Sequence, residues 1–252
     1  MRSLKGLSAP LLAAGLSLST GVCVARADIS EQVFVIQATS SLGSATHVVR
    51  IADGQWSAPG EFQWNFEGEV PMNDASGNTI AMLCGGSLLV HEDPEVALNF
   101  SIMAGSLETA FTISSALVSF ASINGAVGQA SAGITATDLD GDGVTLSPTN
   151  PAGMYIAQYN GIAPTGTTFR GFFSAPVSAP TPFGSTSFSS DYPGGGGFAP
   201  IPGDVSDISS RFTFTLSAND IASGTSIFTV VPAPASASLI AFAGVLARRR
   251  RR

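Results

Sequence analysis

The chain has 252 residues, of which 44% are hydrophobic and only 12% are charged, and both of its ends have the composition of targeting segments. Between them lie about 200 residues, enough for one folded domain. That body holds all 18 acidic residues but only Arg50, Arg170 and Arg211 as basic ones, a formal charge of −15 that excludes nucleic-acid binding and favours divalent cations as partners.

The first 27 residues are typical of a secretory signal peptide. Two basic residues precede a mostly apolar run over residues 9–25, and Ala25 and Ala27 are the small residues that a signal peptidase requires. The sequence therefore predicts export by the Sec machinery with cleavage after Ala27.

Within the body, apolar and polar residues alternate with the period of two that is typical of half-buried β-strands. Residues 61–70, 95–104 and 211–216 show this alternation most clearly. Residues 225–231 form a further apolar run after a short polar turn, and we expect this run to pair with residues 211–216 as a hairpin. The fold predicted for residues 28–230 is all-β, a jelly-roll-like antiparallel β-sandwich.

A Pro/Gly-rich segment over residues 174–203 interrupts this pattern, since it contains six prolines and six glycines. A connection of that length is uncommon inside a compact domain unless it lies on the surface. The sequence predicts a long surface loop there, in which residues 181–190 add an edge strand.

The motif "DLDGDGVTL" contains the strongest candidate for a metal site. Asp138, Asp140 and Asp142 stand two residues apart, Gly143 permits a sharp turn, and Val144 would offer its carbonyl, as in a calcium-binding loop. The twelfth position of such a loop is a threonine here instead of the bidentate glutamate. The alternative interpretation is an acidic Asp-Gly turn between two strands.

Catalytic motifs are absent from the sequence, which contains no G-x-S-x-G or H-E-x-x-H pattern. His91 precedes "EDP" and is predicted to lie at a turn, and Cys84 is expected to be a small buried apolar residue. We therefore expect a non-enzymatic body, with a polysaccharide-degrading enzyme as the less favoured alternative. Tyr155, Tyr159, Tyr192 and Phe198 could stack on sugar rings if they are exposed, but half-buried aromatic residues of strands are the commoner case and the favoured interpretation.

The C-terminus combines three features in order. These are a "VPAP" motif formed by Val231, Pro232, Ala233 and Pro234, an apolar run that ends at residue 247, and five arginines, Arg248, Arg249, Arg250, Arg251 and Arg252. As a helix, residues 231–247 would extend about 25 Å, close to the thickness of a hydrocarbon core. The arginines would stay on the cytoplasmic side, so the sequence predicts a single transmembrane helix with the body outside.

This three-part ending resembles the PEP-CTERM sorting signal of exported bacterial proteins, although Ala233 stands where glutamate is typical. The segments "DLDGDG" and "YIAQYNG" also resemble those of uncharacterised PEP-CTERM proteins. The resemblance implies processing by an exosortase near the proline motif, after transient anchoring in the inner membrane. It also implies a destination at the cell surface or in the extracellular matrix, with extracellular polysaccharide as a partner. A structural protein of that matrix is the first hypothesis, and a calcium-assisted carbohydrate-binding module is the alternative.

Overall fold

A computed structural model of the protein describes residues 28–162 and 165–233, which form two antiparallel β-sheets. The strands of the first half are β1 (Asp28–Ile29), β2 (Gln32–Ser40), β3 (Gly43–Arg50), β4 (Gln55–Ala58), β5 (Glu61–Asn73), β6 (Thr79–His91), β7 (Glu95–Ala104), β8 (Thr109–Ser115) and β9 (Val118–Ile123). Those of the second half are β10 (Ala126–Thr137), β11 (Val144–Pro148), β12 (Tyr155–Tyr159), β13 (Thr167–Phe172), β14 (Val177–Ala179), β15 (Ser185–Tyr192), β16 (Ala199–Pro200), β17 (Val205–Leu216) and β18 (Ile221–Pro232). Single 3₁₀ turns occur at Ile51–Asp53 and Gly194–Gly196.

The strands divide into two sheets, sheet A and sheet B. Sheet A has the order β1-β9-β17-β8-β2-β3, and its long central strand β17 also pairs with β11 and β12, which in turn pair with β14 and β13. Sheet B has the order β15-β10-β18-β7-β6-β5-β4, with β16 beside β10. Most pairs therefore join strands that are distant in the sequence.

The core lies between the two sheets, where the alternating apolar side chains of facing strands meet. Phe100 of β7 lies 5.0 Å from Phe212 of β17, measured between ring centroids, and Phe34 of β2 lies 5.1 Å from Trp64 of β5. Each of these contacts joins sheet A to sheet B. The all-β prediction is confirmed and the packing is consistent with the predicted β-sandwich, whereas a jelly-roll-like connectivity stays a prediction.

The hairpin expected from residues 211–216 and 225–231 is wrong. β17 pairs with β8, β9, β11 and β12 in sheet A, whereas β18 pairs with β7 and β10 in sheet B. The polar turn between them crosses from one sheet to the other. The physical reason is that the buried faces of the two strands, with Phe212 and Phe214 on β17 and Phe228 and Val230 on β18, pack into the core from opposite sheets.

The Pro/Gly-rich segment is more ordered than the predicted long loop, because it contains β14, β15 and β16. The expected edge strand is present as β15, which pairs with β10 over eight residues from Thr137↔Ser185 to Ala130↔Tyr192. Its side chains are mostly serine and threonine, so it has no apolar alternation by which a strand is recognised. A strand at the edge of a sheet tolerates such polar faces because its outer side contacts water.

The C-terminal end of the body corrects a second prediction. Val231 and Pro232 belong to β18, in register with Val127 and Ala126 of β10, and the Ala233 N–H donates to the Gly125 carbonyl at 3.1 Å. The predicted helix therefore does not begin at residue 231, because this backbone completes a sheet.

Several predictions fall on residues that the structure leaves undescribed. They are the signal peptide with Ala25 and Ala27, Pro234 of the sorting motif, the remainder of the apolar segment, and Arg248, Arg249, Arg250, Arg251 and Arg252. Among residues 28–162 and 165–233, no helix is long and apolar enough to cross a membrane.

Candidate functional site

The Asp138 loop connects β10 of sheet B to β11 of sheet A, and the Asp138 side chain holds it together. Oδ1 of this buried carboxylate accepts the N–H groups of Asp140 at 3.2 Å and Gly141 at 2.8 Å. Oδ2 accepts those of Gly143 at 3.1 Å and Phe183 at 2.7 Å. Because Phe183 belongs to the connection between β14 and β15, one carboxylate joins two separate loops.

These hydrogen bonds also decide the charge state of Asp138. Burial by itself raises the pKa of its carboxyl group, but donation by the four backbone N–H groups outweighs burial, and the pKa lies below its ordinary value. Asp138 is therefore an ionised acceptor at neutral pH.

Asp220, from the turn between β17 and β18, completes an acidic cluster that the sequence motif does not contain. One carboxylate oxygen from each of Asp138, Asp140 and Asp220 lies within 4.8 Å of the others. Asp220 is fully buried, accepts the Leu139 N–H at 3.2 Å and the Ser217 hydroxyl, and has a pKa raised first by burial. No local signal in the sequence links it to residues some 80 positions earlier.

The structure brings together only some of the predicted calcium ligands. Asp138 and Asp140 meet, whereas the third member of the cluster is Asp220 in place of Asp142. The pKa of Asp142 is raised, first by its side-chain contact with Asp140 and then by the charge of that residue. Val144 is the first residue of β11.

The carboxylate oxygens of this cluster are engaged as in a hydrogen-bonded turn more than they are available as calcium ligands. A carboxylate offers about four lone-pair positions, and those of Asp138 already face four N–H groups. Calcium requires six to eight oxygen ligands, so a bound ion would compete with the hydrogen bonds that shape the loop. The geometry favours the Asp-Gly turn, and the calcium loop stays a prediction.

The turn predicted at His91 is confirmed, since β6 ends there and β7 begins at Glu95. His91 lies between two carboxylates, with Nδ1 3.6 Å from Glu61 Oε2 and Nε2 3.9 Å from Glu95 Oε1. Thr229 donates to the second oxygen of Glu95 at 2.9 Å. The four groups form a polar cluster at one end of the outer face of sheet B.

The favoured interpretation of the aromatic residues as strand residues is confirmed for Tyr155 and Tyr159, which are buried in the core. The Tyr155 hydroxyl pairs with Ser210 at 3.1 Å, and burial raises its pKa to about 12. Tyr192 is half-buried beneath the guanidinium of Arg170, which lies 4.5 Å from the ring centroid. Phe198 is the exposed member of the four.

Cys84 lies on β6 and is half-buried. Burial, followed by the charge of Glu69, raises the pKa of its thiol. The thiol donates weakly to the Met82 carbonyl at 3.7 Å. A raised pKa disfavours the reactive thiolate, which is consistent with a small packing residue.

The outer face of sheet B carries rows of small hydroxyl side chains, which we call the hydroxyl face. Ser187, Thr135, Ser223 and Ser101 stand directly opposite one another on β15, β10, β18 and β7. Thr135 and Ser187 are hydrogen-bonded at 2.8 Å, and Ser223 donates to Ser101 at 3.1 Å. This register places four small hydroxyl side chains in one row across sheet B.

No protein-family model matches the chain, and no curated protein matches it. Function is therefore inferred from the geometry of the described residues.

Replacing Asp138 by alanine is expected to lower the melting temperature by several degrees, since four N–H groups lose their acceptor. Asp142→Ala is the matched control and should change it little, because Asp142 is repelled by its neighbour. The folded-state pKa of Asp138 is depressed. Its contribution to the free energy of unfolding is therefore fully present above the ordinary carboxyl pKa, and it is lost as the pH falls through the folded-state pKa. Melting curves at neutral and strongly acidic pH should show the Asp138→Ala effect shrinking in acid. An equal effect of both substitutions would contradict the structural role.

Proposed function

We propose that the protein is an exported, non-enzymatic structural component of the cell surface or extracellular matrix, sorted by its C-terminal PEP-CTERM-type signal. The observation that carries this proposal is a body of two β-sheets between the two predicted targeting segments. The strands of the described residues lie within Asp28–Pro232, and only the last two residues of β18 overlap the predicted sorting motif. Removal of both predicted terminal segments would leave the two sheets, apart from this end of β18.

The surface of the body supports the same proposal. Its formal charge of −15 keeps copies of the protein apart and soluble in a hydrated layer. The hydroxyl face presents donors and acceptors across four strands, which suits contact with the hydroxyl groups of a polysaccharide. A jelly-roll-like connectivity of the sandwich belongs to this proposal as well.

The sorting proposal predicts that the native protein, purified from its own cells, lacks both residues 1–27 and the arginine tail. Replacing Arg248–Arg252 by glutamine should leave the chain unprocessed, because retention on the cytoplasmic side requires the positive cluster. Intact mass combined with cell fractionation measures both outcomes.

The choice of residues for this experiment follows from the fold. Val231 and Pro232 are paired with β10, so their replacement would disturb the sheet as well as the motif. Pro234→Ser is the sharper test of the motif, with Pro202→Ser in a surface connection as the matched control. A native chain that keeps its arginines would refute processing and leave a simple anchored protein.

The second candidate function is a calcium-assisted carbohydrate-binding module. The observation that favours it is the approach of Asp138, Asp140 and Asp220 beside Phe183, whose ring is 70% exposed. This candidate predicts that about 10 mM calcium raises the melting temperature, as expected for a weak extracellular site. The double variant Asp140→Asn, Asp220→Asn should abolish the rise. No shift in the unaltered protein would remove this candidate.

A further inference from the structure

The outer face of sheet A contains an open cleft of about 570 Å³, on the opposite side of the molecule from the hydroxyl face. Its floor is built from strands in direct register, with Val35 opposite Ser114 and Ser114 opposite Arg211. The next row adds Gln37 opposite Thr112. This volume lies within the range of about 300–1,000 Å³ that is usual for small-ligand sites.

The cleft has two walls. The connection between β1 and β2 contributes Gln32 and Glu31 on one side, and Ile162 contributes an apolar edge after β12. Glu31 is ion-paired with Arg50, and its carboxylate lies 2.9 Å from the guanidinium. Its negative charge at the rim of the cleft is therefore compensated. Apart from these ionic groups, the lining consists of neutral hydroxyl, amide and aliphatic side chains.

Arg211 is the unusual member of this lining. It is half-buried, its Nε is buried without a hydrogen-bond partner, and within the described part of the chain no carboxylate forms an ion pair with it. The other two arginines of the body are engaged, Arg50 with Glu31 and Arg170 with the ring of Tyr192. Burial also lowers the pKa of Arg211, which is the direction expected for a cation whose hydration is not replaced.

A half-buried guanidinium without a carboxylate partner is unfavourable for folding, and an anionic ligand bound to the part of Arg211 that lines the cleft would relieve some of this penalty. The planar fork of an arginine matches a carboxylate, which brings one negative charge against the one positive charge of the cleft. A phosphate dianion would leave one charge uncompensated within a strongly acidic body. The surrounding hydroxyl and amide groups suit a ligand rich in hydroxyl groups.

We propose that this cleft binds a uronate, the carboxylate-bearing residue of an acidic polysaccharide, with Arg211 as its ion-pairing partner. Gln32, Gln37 and Thr112 would then hydrogen-bond the sugar hydroxyls, and Val35 and Ile162 would pack against the ring. The inference deepens the proposed function, on which it rests for the presence of an acidic polysaccharide around the protein.

The test is calorimetric titration of the full chain, solubilised in mild detergent, with an oligogalacturonate of defined length and with the neutral galactose oligomer of the same length. We expect binding of the acidic oligomer only, because the neutral oligomer has no carboxylate to pair with Arg211. Arg211→Met should reduce the affinity by about 10- to 100-fold, and Arg211→Lys by less. Arg170→Met is the matched control and should bind like the unaltered protein.

Melting curves of the same variants establish that the fold is kept, and Arg211→Met should melt no lower than the unaltered protein because it removes a desolvated charge. Equal binding of both oligomers, full binding by Arg211→Met, or no binding at all would overturn the inference. Tighter binding of a sulfated oligomer would also overturn it, because the preferred partner of Arg211 would then be a sulfate and not a carboxylate. If the protein is processed and retained in the matrix but binds no uronate, the proposed function stands and the uronate inference is refuted. If the protein binds the uronate but is not processed, only the sorting proposal is refuted.

Discussion

Replacing Phe212 by alanine is expected to lower the free energy of unfolding by about 3–5 kcal/mol. Phe212 lies on β17, is fully buried, and its ring centroid is 5.0 Å from those of both Phe100 and Tyr155. The Phe100 contact joins the two sheets at their centre, so truncation leaves a cavity between them. Rigid strands on both sides limit how far neighbouring side chains can fill that cavity.

Urea unfolding followed by tryptophan fluorescence measures this change. The matched control is Phe198→Ala, which removes the same ring from a position that is 44% exposed and should change the stability by less than about 1 kcal/mol. A small effect of Phe212→Ala would mean that the two sheets do not depend on this contact.

Gly153→Ala is the second substitution with a large expected effect. Gly153 precedes β12 with φ at +123°, and a Cβ built on it would lie 2.1 Å from the Phe172 carbonyl oxygen. From the other side, a Cβ on Gly171 of β13 would lie 2.1 Å from the Ala152 carbonyl oxygen. The two backbones therefore approach so closely that neither position has room for a side chain.

The expected loss for Gly153→Ala is at least about 3 kcal/mol, because the backbone conformation and the overlap both oppose alanine. Gly77→Ala separates these two effects. Gly77 has φ at +87° but no atom within 4 Å of a built Cβ, so its replacement should show only the conformational loss of about 1–2 kcal/mol. Thermal or urea unfolding of both variants makes the comparison, and equal losses would exclude the close approach.

Local alternation predicts individual strands well in this protein. β7 spans Glu95–Ala104, the same residues as the predicted alternating run, and the predicted inward side chains Val96, Leu98, Phe100 and Ile102 are all buried, as is Ala104. The period of two is a property of a single strand, so it can be recognised without knowledge of its partners. β15 shows the limit, because an edge strand made of serine and threonine has no apolar period.

The candidate site likewise contains residues that the sequence predicts and residues that only the fold brings to it. The Asp138 motif is recognisable because its residues are adjacent, and its position between β10 and β11 follows from the flanking strands. Asp220 and Arg211 carry no motif, and they gain their roles from residues far away in the chain. Phe183, whose N–H donates to Asp138, lies within the Pro/Gly-rich segment, and nothing in that segment's sequence predicts this contact.

By itself, the sequence determined that this body is built from strands, which face is buried in the three clearest alternating runs, and that the two chain ends have the composition of targeting segments. These properties depend on neighbouring residues alone. Only the tertiary structure decided that β17 and β18 lie in different sheets, that Asp220 joins Asp138, and that Arg211 lies unpaired in a cleft. Those facts depend on pairing between distant strands, and the stability of such pairing is a property of the whole core, with no signal in any single segment.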